Sequence, residues 1–400
     1  MSLKFGPTLL AIPGPSVMPE RVLRAMHRAS PNIYEGELIE MVDTLYPDLK
    51  TVAQTKGQVA LYIANGHGAW EAALKNTICL GDKVLVLKTG RFAAGWGELA
   101  ETHGIEVQAL DFGMQGDADP DKLEQVLRAD TEKSIKAVLT VQADTASSVI
   151  NDIPKLREAI DRSGHDAMFM VDCIASLGCD RFLMDEWGVD LMVAGCQKGL
   201  MTPAGMSFVY FNDRAKEARK RANPGHYWDW VPRTAGDIFY QKFAGTAPTH
   251  HLYGLHEALD ILVHEEGIEN AWTRHNTIAK AVWAAVDAWG TSGSLCHNIE
   301  EADKRTVAVS TIATAPDDAT RLRKWTEQEA GLTLGIGLGF GEPGSDEWNR
   351  RFRIGHMGHQ NVPMTMGVLG TIDSGLKALG IDHGDGALSA AATVLAGHGK

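Results

Sequence analysis

Short apolar runs separated by helical patterns fill the first two thirds of the chain. Lys83–Lys88, Ile135–Val141, Met168–Asp172 and the runs at 191–194 and 206–211 are nearly continuous and rich in branched or bulky side chains. Strands buried on both faces read this way, which predicts a mainly parallel sheet. Between the runs, Trp70, Ala73, Leu74 and Ile78 share one face of a helix that Gly81 is placed to cap. Another helix opens at Pro154, since a first turn tolerates proline.

From about 252 to 289 the pattern stays helical, through Leu255, Leu259, Leu262 and Val263, then Ala271, Ile278, Val282, Ala285 and Val286. Such a span can lead from a large domain into a second one. Beyond it lie a strand-like run at 305–309 and helices near 319–330 and 364–379. The expectation is an α/β large domain with a smaller C-terminal α+β domain. The boundaries it suggests are an arm at 1–20, a large domain at 21–265 and a small domain at 266–400. There is no internal repeat and no low-complexity segment.

Composition narrows the class. With 400 residues, 44% hydrophobic and 22% charged, the chain reads as a soluble globular protein too long for one core. A net charge of −13 without a long Lys/Arg run argues against a nucleic-acid partner. No apolar stretch reaches the ~18 residues that span a bilayer, so no membrane partner is expected. Pro13 and Pro15 interrupt any signal-peptide core, and His398-Gly399-Lys400 is neither a peroxisomal nor an ER-retention signal. A cytoplasmic enzyme is the expectation. The five cysteines (Cys79, Cys173, Cys179, Cys196 and Cys296) form no C-x-x-C pair, which predicts reduced thiols and no metal site.

The sharpest chemical feature is Asp172 and Lys198, 26 residues apart. Asp172 ends one strand-like run and Lys198 lies just past the next. In an open α/β sheet, sites form at the carboxyl ends of strands, so both side chains should face one crevice. Such a pair suits pyridoxal 5'-phosphate (PLP) chemistry, in which a lysine bonds the cofactor and a carboxylate holds its ring nitrogen protonated. Taken alone, the pair reads equally as a capping aspartate and a surface lysine. Ala64-Asn65-Gly66-His67-Gly68 precedes the Trp70 helix, and small residues at a helix start let backbone N–H groups approach a phosphate. Phe92, after Gly90-Arg91, could stack on a flat ring or simply pack in the core.

Together these segments resemble the class V branch of the fold-type I PLP-dependent aminotransferases. The likeness is to the serine–glyoxylate, alanine–glyoxylate and pyridoxamine–pyruvate group. It rests on Pro13-Gly14-Pro15, the 64–68 loop with Trp70-Glu71-Ala72-Ala73, and Val171-Asp172 with Ser176-Leu177-Gly178. Gly195-Cys196-Gln197-Lys198 and Arg353-Ile354-Gly355-His356-Met357-Gly358 complete it. The resemblance implies an amino group moved from a small amino acid, such as serine or alanine, to a 2-oxo acid such as glyoxylate or pyruvate. It implies Lys198 as the cofactor-bonding lysine and proton shuttle, and Asp172 as partner of the pyridine nitrogen. Phe92 and Ile174 would sandwich the ring, with Thr145 near its hydroxyl. Asn65, Gly66, His67 and Gln197 would hold the phosphate, joined by Thr246 of a second subunit, so a homodimer is implied. Phe243 stands where the family has a phosphate-binding tyrosine. Arg353 would clamp the substrate carboxylate, with Gly14 and Tyr34 beside the substrate.

An Asp-His-Arg stretch common in the family is replaced here by Ser30-Pro31-Asn32-Ile33-Tyr34-Glu35-Gly36, which puts Tyr34 or Glu35 toward the substrate. The family's His-Asn-Glu-Thr run reads Gln142-Ala143-Asp144-Thr145, retaining the threonine and an acid. The glycine-rich run at 335–341 lacks a following Gly-Lys-Ser/Thr and reads as a flexible loop beside Arg353. Thr249-His250-His251 and His264 lack metal-ligand spacing. Tyr227-Trp228-Asp229-Trp230 could be a substrate lid or a subunit interface. Two other functions are weighed: a PLP lyase of desulfurase or β-eliminating type, for which only Cys296 comes late enough, and a non-catalytic interaction protein.

Overall fold

The computed structural model describes residues 2–235 and 238–397, so the 398–400 tripeptide lies outside the described residues. A seven-stranded sheet runs in the spatial order Gln58–Tyr62, Ser207–Phe211, Leu191–Gly195, Met168–Asp172, Ile135–Val141, Lys83–Lys88 and Glu106–Asp111. Six strands point one way, and only Ser207–Phe211 opposes both its neighbours. Alternation along each strand splits the core into two layers, as period-2 geometry requires. Val59, Leu61, Phe169 and Val171 face one cluster, while Ala60, Tyr62, Met168 and Met170 face the other. Helices cover both faces, so the central strands are buried and read as continuous apolar runs, whereas the edge strand Glu106–Asp111 stays partly exposed.

The long helical span is three pieces: Thr249–Leu259, a π-helical Asp260–Glu266, and Ile268–Trp289 after Gly267. Ile268 and Ala271 still pack with the large core, whereas Ala281 onward packs in a separate C-terminal cluster. That cluster lies against an antiparallel sheet of Arg351–Gly355, Val309–Ala313 and Cys296–His297. Leu9–Ala11 pairs in parallel with Leu332–Leu334, so the N-terminal segment contributes a strand to this part of the molecule.

Two local expectations are corrected. The Trp70 helix spans Gly66–Thr77 and ends on an extended Ile78, so Gly81 does not cap it. Gly81 instead takes a left-handed turn (φ +82°) whose N–H donates to the Gly104 carbonyl. The strand-like run at 305–309 is strand only from Val309, because Thr306 and Val307 turn aside to donate to the Asp180 carboxylate.

Trp289 is fully buried in the C-terminal cluster, and its indole donates to Asp373 at 3.0 Å. Trp289→Ala should lower stability by about 3–5 kcal/mol through the cavity and the lost hydrogen bond to Asp373, which keeps its Lys377 partner. Urea unfolding followed by circular dichroism checks this, and a midpoint within error of the parent would contradict it.

Candidate active site

The carboxyl ends of five co-directed strands converge on one cavity of about 220 Å³. Nine residues expected from the sequence line it: Asn65, Gly66, His67, Phe92, Thr145, Asp172, Ile174, Gln197 and Lys198. Trp70, Ala143 and Ala175 complete the wall. They sit at the strand ends or in the loops and helix starts that follow, which is where an open α/β sheet gathers chemistry.

One side is an anion cradle. The Gly66–Thr77 helix begins at the cavity, with Asn65 capping it by accepting from the Gly68 N–H at 3.3 Å. Free N–H groups and the positive helix end favour a phosphate there. A Cβ on Gly66 would collide with Ile174, so only glycine lets the loop sit this close. The Gln197 side-chain oxygen is buried without a hydrogen-bond partner. A simple amide flip would turn a donor into the same position. The cradle and this open amide both fit a phosphorylated cofactor.

The other side holds the titrating pair. Asp172 Oδ2 accepts from the Trp70 indole Nε1 at 2.7 Å, and Oδ1 from the Ile174 amide at 2.6 Å. Burial pushes the Asp172 carboxyl up to about 7; these two donors and Lys198 oppose the rise, while Asp144 adds to it. Lys198 is brought down to about 8, first by burial and then by the Arg353 charge, against the pull of Asp172. The Lys198 ammonium donates to the Pro13 carbonyl. Gly14 (φ +102°) runs so close that a Cβ would lie 2.5 Å from Lys198 Cδ and Cε. Ser16 Oγ donates to the Lys198 carbonyl at 2.7 Å, and the Ser16 amide to the Gln197 carbonyl at 2.8 Å. The N-terminal segment thus clamps the lysine loop.

Arg353 is buried on its strand. Nε donates to the Ile336 carbonyl at 2.7 Å and Nη1 to the Thr145 carbonyl at 2.8 Å. Burial lowers it to about 10, so it stays cationic at neutral pH. The 335–341 glycine run is the loop that holds it: Gly335 and Arg353 exchange two backbone hydrogen bonds, and a Cβ on Gly335 would crowd Pro13 and Arg353. Arg353 lies outside the cavity lining, yet its charge bears on Lys198.

Beyond Arg353 and Gly14, which lie next to Lys198 but outside the lining, three expected residues are not brought to the cavity of their own chain. Tyr34 is 84% exposed on a turn closed by the Asn32 side chain. Thr246 is exposed on a bend. Phe243 has its ring fully buried in the large core beside Phe239, at 5.4 Å between centroids. The Tyr227–Trp230 stretch is packed on its own chain: Trp230 stacks on Phe211 at 4.0 Å and Asp229 pairs with Arg219 at 2.7 Å. Cys296 is exposed, and no cysteine lines the cavity.

Sequence reasoning missed two residues. Trp70, given an apolar helix face and a place in a family motif but no role at the site, donates to Asp172; the signal was a buried indole, whose N–H needs a partner. Asp144 was only a retained acid. Its buried carboxylate accepts from the Phe92, Ala93 and Ala146 amides at 2.7, 3.3 and 2.9 Å, which caps the Arg91–Thr102 helix and sets Phe92 at the cavity.

This sheet order, with a buried lysine and aspartate at the strand ends, defines a fold-type I α/β enzyme site. The family description "Aminotransferase class-V" matches residues 12–328, and the chain belongs to that family of aminotransferases. It is 36% identical over 382 residues to a serine–glyoxylate aminotransferase of Methylorubrum extorquens, covering 92% of each chain. It is 32% identical to an L-aspartate–glyoxylate aminotransferase of Paracoccus denitrificans, covering 92% of this chain and 91% of that one. The solved ureidoglycine–glyoxylate aminotransferase of Bacillus subtilis superposes with a TM-score of 0.87 at 25% identity, over 98% of both chains.

The raised Asp172 carboxyl makes a stability prediction for the cofactor-free protein. A carboxyl higher in the folded than in the unfolded chain stabilises the fold fully at low pH and loses that contribution as pH climbs toward 7. Asp172→Asn should therefore match the parent near pH 4 and exceed it at pH 8 by on the order of 2–4 kcal/mol. Urea midpoints at the two pH values measure this; the same difference at both would contradict it.

Proposed function

We propose that the protein is a PLP-dependent aminotransferase that passes the amino group of a small amino acid to glyoxylate. The observation that carries the reading is the burial of Lys198 and Asp172 in one cavity beside an anion cradle. Three relatives or neighbours with different donors have glyoxylate in their names, which supports that acceptor and leaves serine, alanine and aspartate as donors to compare. Bound there, the cofactor would supply a carbonyl for the amine and an electron-accepting ring.

The chain's own residues would divide the remaining work. Asn65, Gly66, His67 and Gln197 would hold the phosphate, and Phe92 and Ile174 would keep water from the ring faces. Thr145 would face the ring hydroxyl. Asp172, ionised, would hold the proton on the ring nitrogen. With its pKa near 8, Lys198 has an appreciable neutral fraction at neutral pH, so its Nζ can bond a carbonyl and later carry a proton. Arg353 would present its Nη2, which has no hydrogen-bond partner among the described residues, to the substrate carboxylate. Gly14 lies against Lys198 with no side chain to crowd the substrate.

Thr246 and Tyr34 are both exposed in one copy, and in this reading each meets the site of a second copy, so the working unit is a homodimer. Five free cysteines, three of them buried, suit a cytoplasmic protein. We read 1–20 as the arm, 21–265 as the large domain and 266–400 as the small one.

The test mixes PLP-loaded protein with single amino acids and follows the cofactor's visible band. Serine, alanine or aspartate should bleach it, and glyoxylate should restore it with glycine released. A band that no amino acid bleaches would overturn the transaminase reading. Arg353→Ala should raise KM for the amino acid with a cost of about 2–5 kcal/mol in kcat/KM, as expected when one partner of a buried charge pair is removed. An unchanged kcat/KM would remove Arg353 from the substrate site.

A further inference from the structure

Trp70 occupies an unusual place in the cavity wall. It is fully buried one turn into the Gly66–Thr77 helix, and its indole N–H reaches Asp172 Oδ2 at 2.7 Å. An indole can donate but not accept. With the Ile174 amide donating to the other oxygen, a neutral acid would have to turn its O–H onto one of two donors, so the pair favours the charged carboxylate. The ring is locked from three sides: Trp96 stacks on it at 6.1 Å, His67 lies at 4.5 Å and Phe92 meets it edge-on at 6.4 Å. His67 and Phe92 are themselves cavity walls. One helix thus presents its N-terminus to the anion cradle and, a turn later, a rigid donor to the carboxylate.

We propose that Trp70 is a positioning residue that keeps Asp172 ionised and aimed at the centre of the cavity, joining the anion cradle to the carboxylate through one rigid ring cluster. The other groups that act on Asp172 are the Ile174 amide and Lys198, which favour its charge, and Asp144, which opposes it. The adjacent Cys173 is a buried thiol held neutral, its titration pushed far up. Without the indole donor, desolvation would face only the Ile174 amide and a lysine that is itself partly neutral near pH 8. The orientation of Asp172 rests on the structure alone; its consequence for a bound cofactor rests on the PLP reading above.

The test replaces Trp70 in the full-length protein by phenylalanine and by benzothienylalanine, an isostere of tryptophan with sulfur in place of the indole N–H. Asp172 is titrated in the cofactor-free protein by difference infrared spectroscopy of its carboxyl stretch, assigned with Asp172→Asn. Both replacements should move the midpoint up by one to two pH units, the shift a charge-assisted hydrogen bond commands. The isostere keeps the packing, so it decides the matter if the phenylalanine variant folds poorly. In the PLP-loaded isostere protein, PLP affinity should fall about tenfold at pH 8, and the loss should shrink as pH rises above the new midpoint. An unchanged carboxyl midpoint in the folded isostere protein would overturn the proposal. Failure of the parent to bind PLP, with the midpoint shifted as expected, would overturn the cofactor reading and leave the Trp70 role standing.

Discussion

Asp172 is buried at the end of its strand with one oxygen on the Trp70 indole and the other on the Ile174 amide. Much of the surrounding architecture follows from keeping that carboxylate out of water. A desolvated charge is tolerated only when hydrogen-bonded and balanced by a nearby opposite charge. The two donors come from the helix after one strand and from the turn after another, and the balancing Lys198 comes from the turn after a third. Co-directed strands supply all three at one rim, as neighbours pointing in alternating directions would not.

Assembly of the site is strongly non-local. Pro13, Gly14 and Ser16 reach across to the lysine loop, so the docked N-terminal segment is part of what places Lys198. From the far side of the chain, Gly358 packs on the Lys198 carbonyl, and its amide donates to His275 at 2.9 Å. Burial drops His275 to about 3, so its ring stays neutral and can accept that bond over the working pH range. Arg353 is set by carbonyls from two different loops. Lys198 is thus gripped from both ends of the sequence, which couples the C-terminal cluster to the chemistry in the large sheet.

Much of this was legible in the sequence because the central strands are buried on both faces and their apolar runs are unbroken, unlike the partly exposed edge strand Glu106–Asp111. Position at strand ends then brought Asp172 and Lys198 together, the small residues at the helix start marked the phosphate cradle, and the family resemblance added Thr145, Ile174 and Gln197. What stayed hidden depends on side-chain direction and on distant partners. The reversal of Ser207–Phe211 leaves no mark on an all-buried run. The ends of helices shifted where a turn found a better partner, as at Gly81 and Gly104. Phe243 went to the core because an aromatic ring without a hydroxyl gains most from full burial. Trp70 counted as apolar because periodicity sees the ring and not its N–H. Tyr34 and Thr246 face outward, away from the cavity of their own chain.

The central claim is that Lys198 is the residue that bonds the cofactor. Borohydride reduction of the PLP-loaded protein followed by peptide mapping tests it most directly, since reduction makes the bond permanent. The account predicts a phosphopyridoxyl mass increase on the peptide carrying Lys198 and none after Lys198→Ala. A label on another lysine, or a protein that binds PLP without any reducible bond, would contradict it.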